Sequence, residues 1–297
     1  MTLRSRSWGS LRRNPPDPRP GSATVGRVNA RTINALLAVA ACVAGLIALY
    51  LAAFVVPVTE HADQRVFNAF LSLQTYRTAT LAGYVTGFFN LGPYTLAVLA
   101  LTVVALALGE RRKAVAVVAI CGCANVTTQV LKIVTATPRS PQWLEPASWP
   151  SGHLTAATSL ALCAVLVAPP LWRSWAAGAG ALGVLAVAYS ILVLGSHHPT
   201  DVVGGMLMAS AWTAAGVAGL DAAERRWPSG RPAPGFGASR RALWLTSGAA
   251  AVAVLAALVL GAAASQPGVY PTLLVGAMVL AACAAVIPAA AASLLGR

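Results

Sequence analysis

Long apolar runs separated by short polar segments occupy most of the chain, and they predict membrane-spanning helices. A run of about 20 apolar residues is long enough for a helix to cross the roughly 30 Å hydrocarbon layer of a bilayer. Eight runs meet or approach this length: 33–56, 93–108, 114–136, 151–168, 176–195, 202–220, 242–264 and 270–294. The pattern therefore predicts an all-α, polytopic membrane protein with about eight transmembrane helices.

The polar segments divide these spans into a six-span core and a C-terminal hairpin. Residues 1–32 are rich in Arg, Pro, Gly and Ser and predict a disordered, basic cytoplasmic tail. The core covers 33–220, and within it 57–91 mixes charged and aromatic residues as amphipathic helices in the outer interface do. A basic cytoplasmic linker, 221–241, leads to the transmembrane hairpin at 242–297. The hairpin carries almost no polar residue in its spans, which favours packing or partner contact over chemistry.

Composition and charge exclude a water-soluble domain. The chain is 57% apolar and 10% charged, with a mean hydropathy of +0.70, whereas about a quarter of the residues of a soluble protein are charged. If alternate loops are cytoplasmic, 17 of the 21 Lys and Arg residues lie on the cytoplasmic side, as the positive-inside rule expects. The net charge of +13 is thus explained by topology, and we predict a cell-membrane protein with both termini inside and no nucleic-acid partner.

Two cations lie on the predicted outer side, where the chain otherwise avoids basic residues. Lys132 and Arg139 belong to the loop that follows the third span. In one interpretation they extend to the outer interface from helix ends, as long basic side chains commonly do. In the other they bind an anion, and the loop by itself leaves both interpretations open.

The fourth span begins with Pro150, Ser151, Gly152 and His153, on the same predicted side. These residues are typical of a structural turn in which Ser caps a helix. They are equally typical of an anion pocket, because N–H groups at a helix start point at a bound phosphate and Gly lets the phosphate come close. His153 would then exchange a proton with an ester oxygen of that anion.

His197 and Asp201 are four residues apart, between the fifth and sixth spans. The pair could simply stabilise the start of a helix. Alternatively, the carboxylate fixes the imidazole tautomer and leaves the other ring nitrogen to attack phosphorus. Three of the four His residues of the chain lie in these two loops, which the topology places on one side beside Lys132 and Arg139. This coincidence favours a site that handles phosphate.

The first two segments resemble those of a known family, the type 2 phosphatidic acid phosphatases (PAP2), also called lipid phosphate phosphatases. The first family motif, Lys, six residues and Arg, usually followed by Pro, is similar to Lys132 and Arg139, although Ser140 precedes Pro141. The second motif, Pro-Ser-Gly-His, is matched fully by residues 150–153. The resemblance covers the six-span core, including the order of its spans.

The third family motif is Ser-Arg, five residues, His, three residues and Asp, and here the chain departs at one position. Ser190, His197 and Asp201 match, but Ile191 stands where the family has Arg. The change removes one of three side-chain cations that the family uses to hold phosphate. Losing such a donor can cost about 3 to 4 kcal/mol of transition-state stabilisation. We expect weaker or differently tuned activity unless another group, such as a protonated His198, replaces that charge.

The resemblance implies a membrane lipid phosphatase that hydrolyses a phosphomonoester or a pyrophosphate through a phosphohistidine, with no metal and no cofactor. It implies that His197 is the nucleophile, that Asp201 orients it and that His153 is the general acid. The residues that would hold the phosphate are Lys132, Arg139, Ser151 and Gly152.

The predicted outward site favours a lipid substrate whose tails stay in the outer leaflet, with Trp143 and Trp149 anchoring the interface. Candidates are phosphatidic acid, phosphatidylglycerol phosphate and polyprenyl pyrophosphate. Two alternatives stay open. In a metal hydrolase, the His and Asp residues of the site would ligate zinc. In a catalytically weakened PAP2-fold protein, the site would serve lipid binding or scaffolding.

Overall fold

The computed structural model describes residues 22–138 and 146–229, together with Thr272, Gly276 and Ala277, and for 22–31 it describes the backbone alone. These residues form helices and no strands, which confirms the predicted all-α class. The helices are α1 (Ser22–Phe54), α2 (Pro57–Leu71), α3 (Tyr76–Gly87), α4 (Leu91–Ala107), α5 (Arg111–Val134), α6 (Gly152–Val167), α7 (Arg173–Val193) and α8 (Pro199–Arg226).

Four of these helices are long and apolar enough to cross a membrane: Thr32–Phe54 of α1, and α5, α7 and α8. Helices α3 and α4 meet the same criteria only when they are taken together, as a pair bent by 48°, and counting that pair as one span gives five. The chain is therefore a multi-pass membrane protein. Interfacial helices were predicted for the whole of 57–91, a range that also contains α3, the first helix of this bent pair.

Two helices extend beyond the segment boundaries predicted for the core. Helix α1 begins at Ser22, so residues 22–32 are helical rather than part of a disordered tail. That stretch holds no Pro and a single Gly, and extending a helix that is already formed adds one hydrogen bond for each residue fixed. At the other end of the core, α8 runs to Arg226 instead of stopping at 220. Residues 1–21 and nearly all of the predicted hairpin lie outside the described residues.

Helix α6 is the centre of the bundle. It contacts α4, α5, α7 and α8, and most of its 16 residues are buried. A helix that is apolar on all sides is stable where other helices surround it, which explains how a short helix holds this position. Helix α1 instead packs mainly on α8 and exposes apolar side chains such as Leu37 and Ile47, as a lipid-facing helix does.

Helix α2 is amphipathic, as predicted, and it packs against the bundle through α1, α7 and α8. Phe67 and Phe70 on its inner side are fully buried. On another side, Gly276 approaches α2 so closely that an added Cβ would lie 2.6 Å from Val66 Cγ1 and 3.2 Å from Phe70 Cε2. Ala277 is fully buried in the same apolar cluster as Phe70. Gly276 and Ala277 therefore cover part of α2.

Candidate active site

A glycine turn ends α7 and begins the segment that holds His197. Gly195 has φ +66°, and the N–H groups of Gly195 and Ser196 donate to the carbonyls of Leu192 and Ile191, each at 3.1 Å. These two bonds form a Schellman motif, which favours Gly because its left-handed conformation strains other residues. The turn directs the chain toward the start of α8.

The first turn of α8 joins the predicted nucleophile to its carboxylate. His198 is the N-cap, and its N–H donates to Asp201 Oδ2 at 3.0 Å. The same oxygen faces His197 Nδ1 at 3.4 Å. Asp201 is fully buried and His197 is 7% exposed. This geometry gives Nδ1 a carboxylate partner, and catalytic hydrogen bonds are often this long before substrate binds.

The start of α6 is compatible with both interpretations of its turn, a helix cap and an anion pocket. Ser151 is fully buried, and its Oγ accepts the N–H of Leu154 at 3.4 Å, so it does cap the helix. Its role in phosphate binding stays a prediction. Helical geometry gives the N–H groups of Gly152 and His153 no acceptor within α6, and both residues are half-buried. The turn can therefore still offer donors to an anion.

Direct backbone contact brings these two turns together. The Ser151 N–H donates to the Asp201 carbonyl at 2.9 Å, and Thr155 Oγ1 contacts the Gly205 carbonyl at 3.4 Å. Gly205 makes this approach possible, because an added Cβ would lie 2.5 Å from the Ser151 carbonyl oxygen. The segments carrying His153 and His197 are thus adjacent, as predicted.

Helix α5 presents Lys132 to the same place. Thr128 Oγ1 lies 3.0 Å from Thr155 Oγ1 of α6, and Thr135 Oγ1 donates to the Trp149 carbonyl at 3.4 Å. Lys132 lies between these two contacts along α5 and is half-buried. Both Lys132 and His197 interact electrostatically with His153. Lys132 is therefore part of the cluster rather than an isolated helix-end cation.

Of the predicted phosphate ligands, Arg139 lies outside the described residues, and so does Trp143. Trp149 is described, and its prediction as an interfacial anchor is wrong. It is 4% exposed, with its ring edge-on to Tyr50 and Phe54 of α1 at centroid distances of 5.4 and 6.4 Å. The two aromatic side chains of α1 cover the indole, so it packs between helices instead of facing the interface.

The position of the missing Arg is apolar in this chain. Ile191 is 1% exposed and belongs to a cluster that includes Leu154 and Val202, the neighbours of His153 and Asp201. His198 does not fill the gap as a mobile cation, because it is 1% exposed and its ring is stacked on another aromatic side chain. Among the described side chains, Lys132 is the cation that the structure brings to His153.

Three polar residues near these turns were not predicted. Asn90, the N-cap of α4, lies 3.3 Å from His153 Nε2 through its Oδ1. Asp63 and Gln64 of α2 contact Thr200 and His198. The burial of Asp63 could have been predicted, because helical spacing places it on the same side of α2 as Phe67 and Phe70. Within the part of the chain that is described, no group of three or more His, Cys, Asp or Glu is placed to hold a metal ion.

The structure is thus that of a multi-pass helical membrane protein, in which two His, a buried carboxylate and a Lys lie near the start of the central helix. The family model described as the PAP2 superfamily matches residues 36–227, more than half of the chain. The chain belongs to this superfamily, whose membership supports a phosphatase-type function on lipid phosphates in general. No curated protein and no solved structure matches the chain.

Proposed function

We propose that this protein hydrolyses a phosphomonoester or pyrophosphate of a membrane lipid through a phosphohistidine intermediate. The observation that supports this most is the backbone bond of 2.9 Å from Ser151 N–H to the Asp201 carbonyl. It joins the turn that carries His153 to the turn that carries His197, and this supports a site in which both imidazoles act on one phosphoryl group.

In the first step, His197 attacks phosphorus. Its Nδ1 faces the Asp201 carboxylate, so the proton resides on Nδ1 and the lone pair on Nε2. As the Nε2–P bond forms, the bond from phosphorus to the ester oxygen breaks, and protonated His153 gives its proton to that oxygen. Lys132 and the Gly152 N–H stabilise the charge on the remaining phosphoryl oxygens.

In the second step, water replaces the protein nucleophile. His153, now neutral, accepts a proton from the water as the new O–P bond forms and the Nε2–P bond breaks. Inorganic phosphate leaves, and His197 recovers its lone pair. Each imidazole returns to its starting protonation state, so the cycle consumes one water and needs no cofactor.

The proposed location is the cell membrane, with the site on the extracytoplasmic side. The supporting argument is the distribution of Lys and Arg, most of which lie in loops on the opposite side. A substrate at that surface would keep its acyl or prenyl tails in the outer leaflet. Phosphatidic acid, phosphatidylglycerol phosphate and polyprenyl pyrophosphate all fit this description.

The test is phosphate release from these three lipids by the purified protein. We expect His197→Ala to abolish release, whereas His61→Ala serves as a matched control, because His61 lies exposed on α2. We also expect release to survive EDTA and to be inhibited by vanadate. Full activity of His197→Ala would contradict the proposal, and activity lost to EDTA would favour the zinc alternative.

A second candidate function, lipid binding or scaffolding without turnover, is supported by Ile191 in place of the family Arg. A protein of this kind would bind vesicles that contain phosphatidic acid but release no phosphate from any of the three lipids. The same preparation distinguishes the two candidates, since binding and release are measured independently.

A further inference from the structure

Asp63 is buried although it lies on an amphipathic helix with many exposed residues. It is 6% exposed, and its Oδ1 accepts the Thr200 backbone N–H at 3.1 Å while its Oδ2 accepts the Thr200 hydroxyl at 2.7 Å. A buried carboxylate is costly unless it is hydrogen-bonded, and here both oxygens are used. Thr200 directly precedes Asp201 in the first turn of α8. Asp63 therefore fixes that turn from outside.

Two further residues of α2 hold His198, on the other side of the same turn. Gln64 Oε1 lies 3.0 Å from His198 Nε2. The Phe67 ring stacks on the imidazole, with a centroid distance of 4.7 Å and an interplanar angle of 22°. Phe67 and His198 are at most 1% exposed. The imidazole is thus confined to one orientation.

Both sets of contacts act on the carboxylate that faces the nucleophile. The N–H of His198 donates to Asp201 Oδ2, the oxygen that lies 3.4 Å from His197 Nδ1. A displacement of His198 or Thr200 would move this oxygen, and with it the imidazole. Errors of about 1 Å in such a position can reduce turnover by about 10²-fold.

We propose that α2 is a brace for the nucleophile, in which Asp63 and Gln64 are positioning residues for the pair formed by His197 and Asp201. This inference rests on the proposed function. The two residues act through the first turn of α8 rather than on the substrate. Their loss is therefore expected to lower kcat, with little change in KM.

The experiment measures kcat and KM for lipid phosphate release, with three substitutions on α2. Asp63→Ala removes both acceptors and is expected to lower kcat by about 10- to 100-fold. Asp63→Asn keeps an oxygen for the Thr200 N–H and an amide for its hydroxyl, so it is expected to restore most of the lost kcat. Glu60→Ala removes a carboxylate from an exposed position of the same helix and is expected to leave both constants unchanged.

A second variant keeps the test decisive if Asp63→Ala does not fold. Thr200→Val removes the 2.7 Å bond and keeps the backbone N–H that donates to Asp63, and we expect a smaller fall in kcat at constant KM. If Asp63→Ala and Thr200→Val both match Glu60→Ala, the brace is refuted while the proposed function stands. A rise in KM with constant kcat refutes it as well. If the wild type and His197→Ala release no phosphate alike, the proposed function fails, and the inference fails with it.

Discussion

The close approach of α8 to α6 at Gly205 holds together the turns that carry His153 and His197, and one added methyl group would perturb it. An added Cβ at Gly205 would lie 2.5 Å from the Ser151 carbonyl oxygen, 2.9 Å from Leu154 Cβ and 3.1 Å from the Thr155 backbone nitrogen. Two of these three atoms belong to the backbone, so rotating a side chain cannot relieve the contact. Gly205→Ala must push α8 away from α6.

The expected size of the effect follows from this geometry. Overpacking of this kind costs about 1 to 3 kcal/mol, against an intrinsic gain of up to about 1 kcal/mol for replacing Gly by Ala in a helix. The control is Gly219→Ala, also on α8, where nothing lies within 4 Å of an added Cβ. The intrinsic gain is common to both variants, so Gly205→Ala should be about 1 to 3 kcal/mol less stable than Gly219→Ala.

The change in kcat is expected to be the easier of the two effects to measure. Separation of the helices strains the bond from Ser151 N–H to the Asp201 carbonyl, and a displacement of about 1 Å between the two turns can lower kcat by about 10²-fold. Thermal unfolding in detergent and lipid phosphate release, measured on both Gly→Ala variants, test the two effects. Equal unfolding temperatures and equal kcat values for Gly205→Ala and Gly219→Ala would refute the reasoning.

Three further predictions concern single residues. Asp201→Asn should keep the fold but lower phosphate release by about 10⁴-fold, as loss of a tautomer-fixing carboxylate does elsewhere; release within tenfold of wild type would contradict this. Ile191→Arg should raise phosphate release while lowering the unfolding temperature, because it places a third cation near the site in an apolar cluster; Ile191→Leu is the control, and the absence of any gain would mean that position 191 serves packing alone. Trp149→Ala should cost about 3 to 5 kcal/mol in unfolding experiments because the indole is buried against Tyr50 and Phe54; a cost near zero would restore its interpretation as an interfacial anchor.

Four of the predicted spans correspond to helices long and apolar enough to cross a membrane, because the length of an apolar run is a local property that the bilayer thickness limits directly. The adjacency of the two turns was also predictable, since span counting places both on one side. The start of α1 was not, because the polar residues before Ile33 are compatible with either a coil or a helix. Burial of Trp149 depends on Tyr50 and Phe54, far away in sequence, and no local pattern indicates that contact.

The contacts of α2 with α8 could not be predicted from the sequence of α2 alone. The mixed composition of Pro57–Leu71 correctly indicates an amphipathic helix, but composition does not distinguish Asp63 from Glu60. One is buried and bonded to Thr200, whereas the other is exposed. The difference arises from the direction in which the helix meets α8. Helical spacing from Asp63 to Phe67 and Phe70 does identify the inward face, once the helix itself is accepted.

The contact of Gly276 and Ala277 with Val66 and Phe70 bears on how the chain may be shortened. Removing the residues that follow α8 would keep almost all of the region that the family model matches. It would also expose the apolar surface of α2 that Gly276 and Ala277 cover. Low phosphate release by such a shortened protein would then reflect the loss of contacts to α2, because the residues of the proposed site would still be present. Experiments on this protein should therefore retain the final segment.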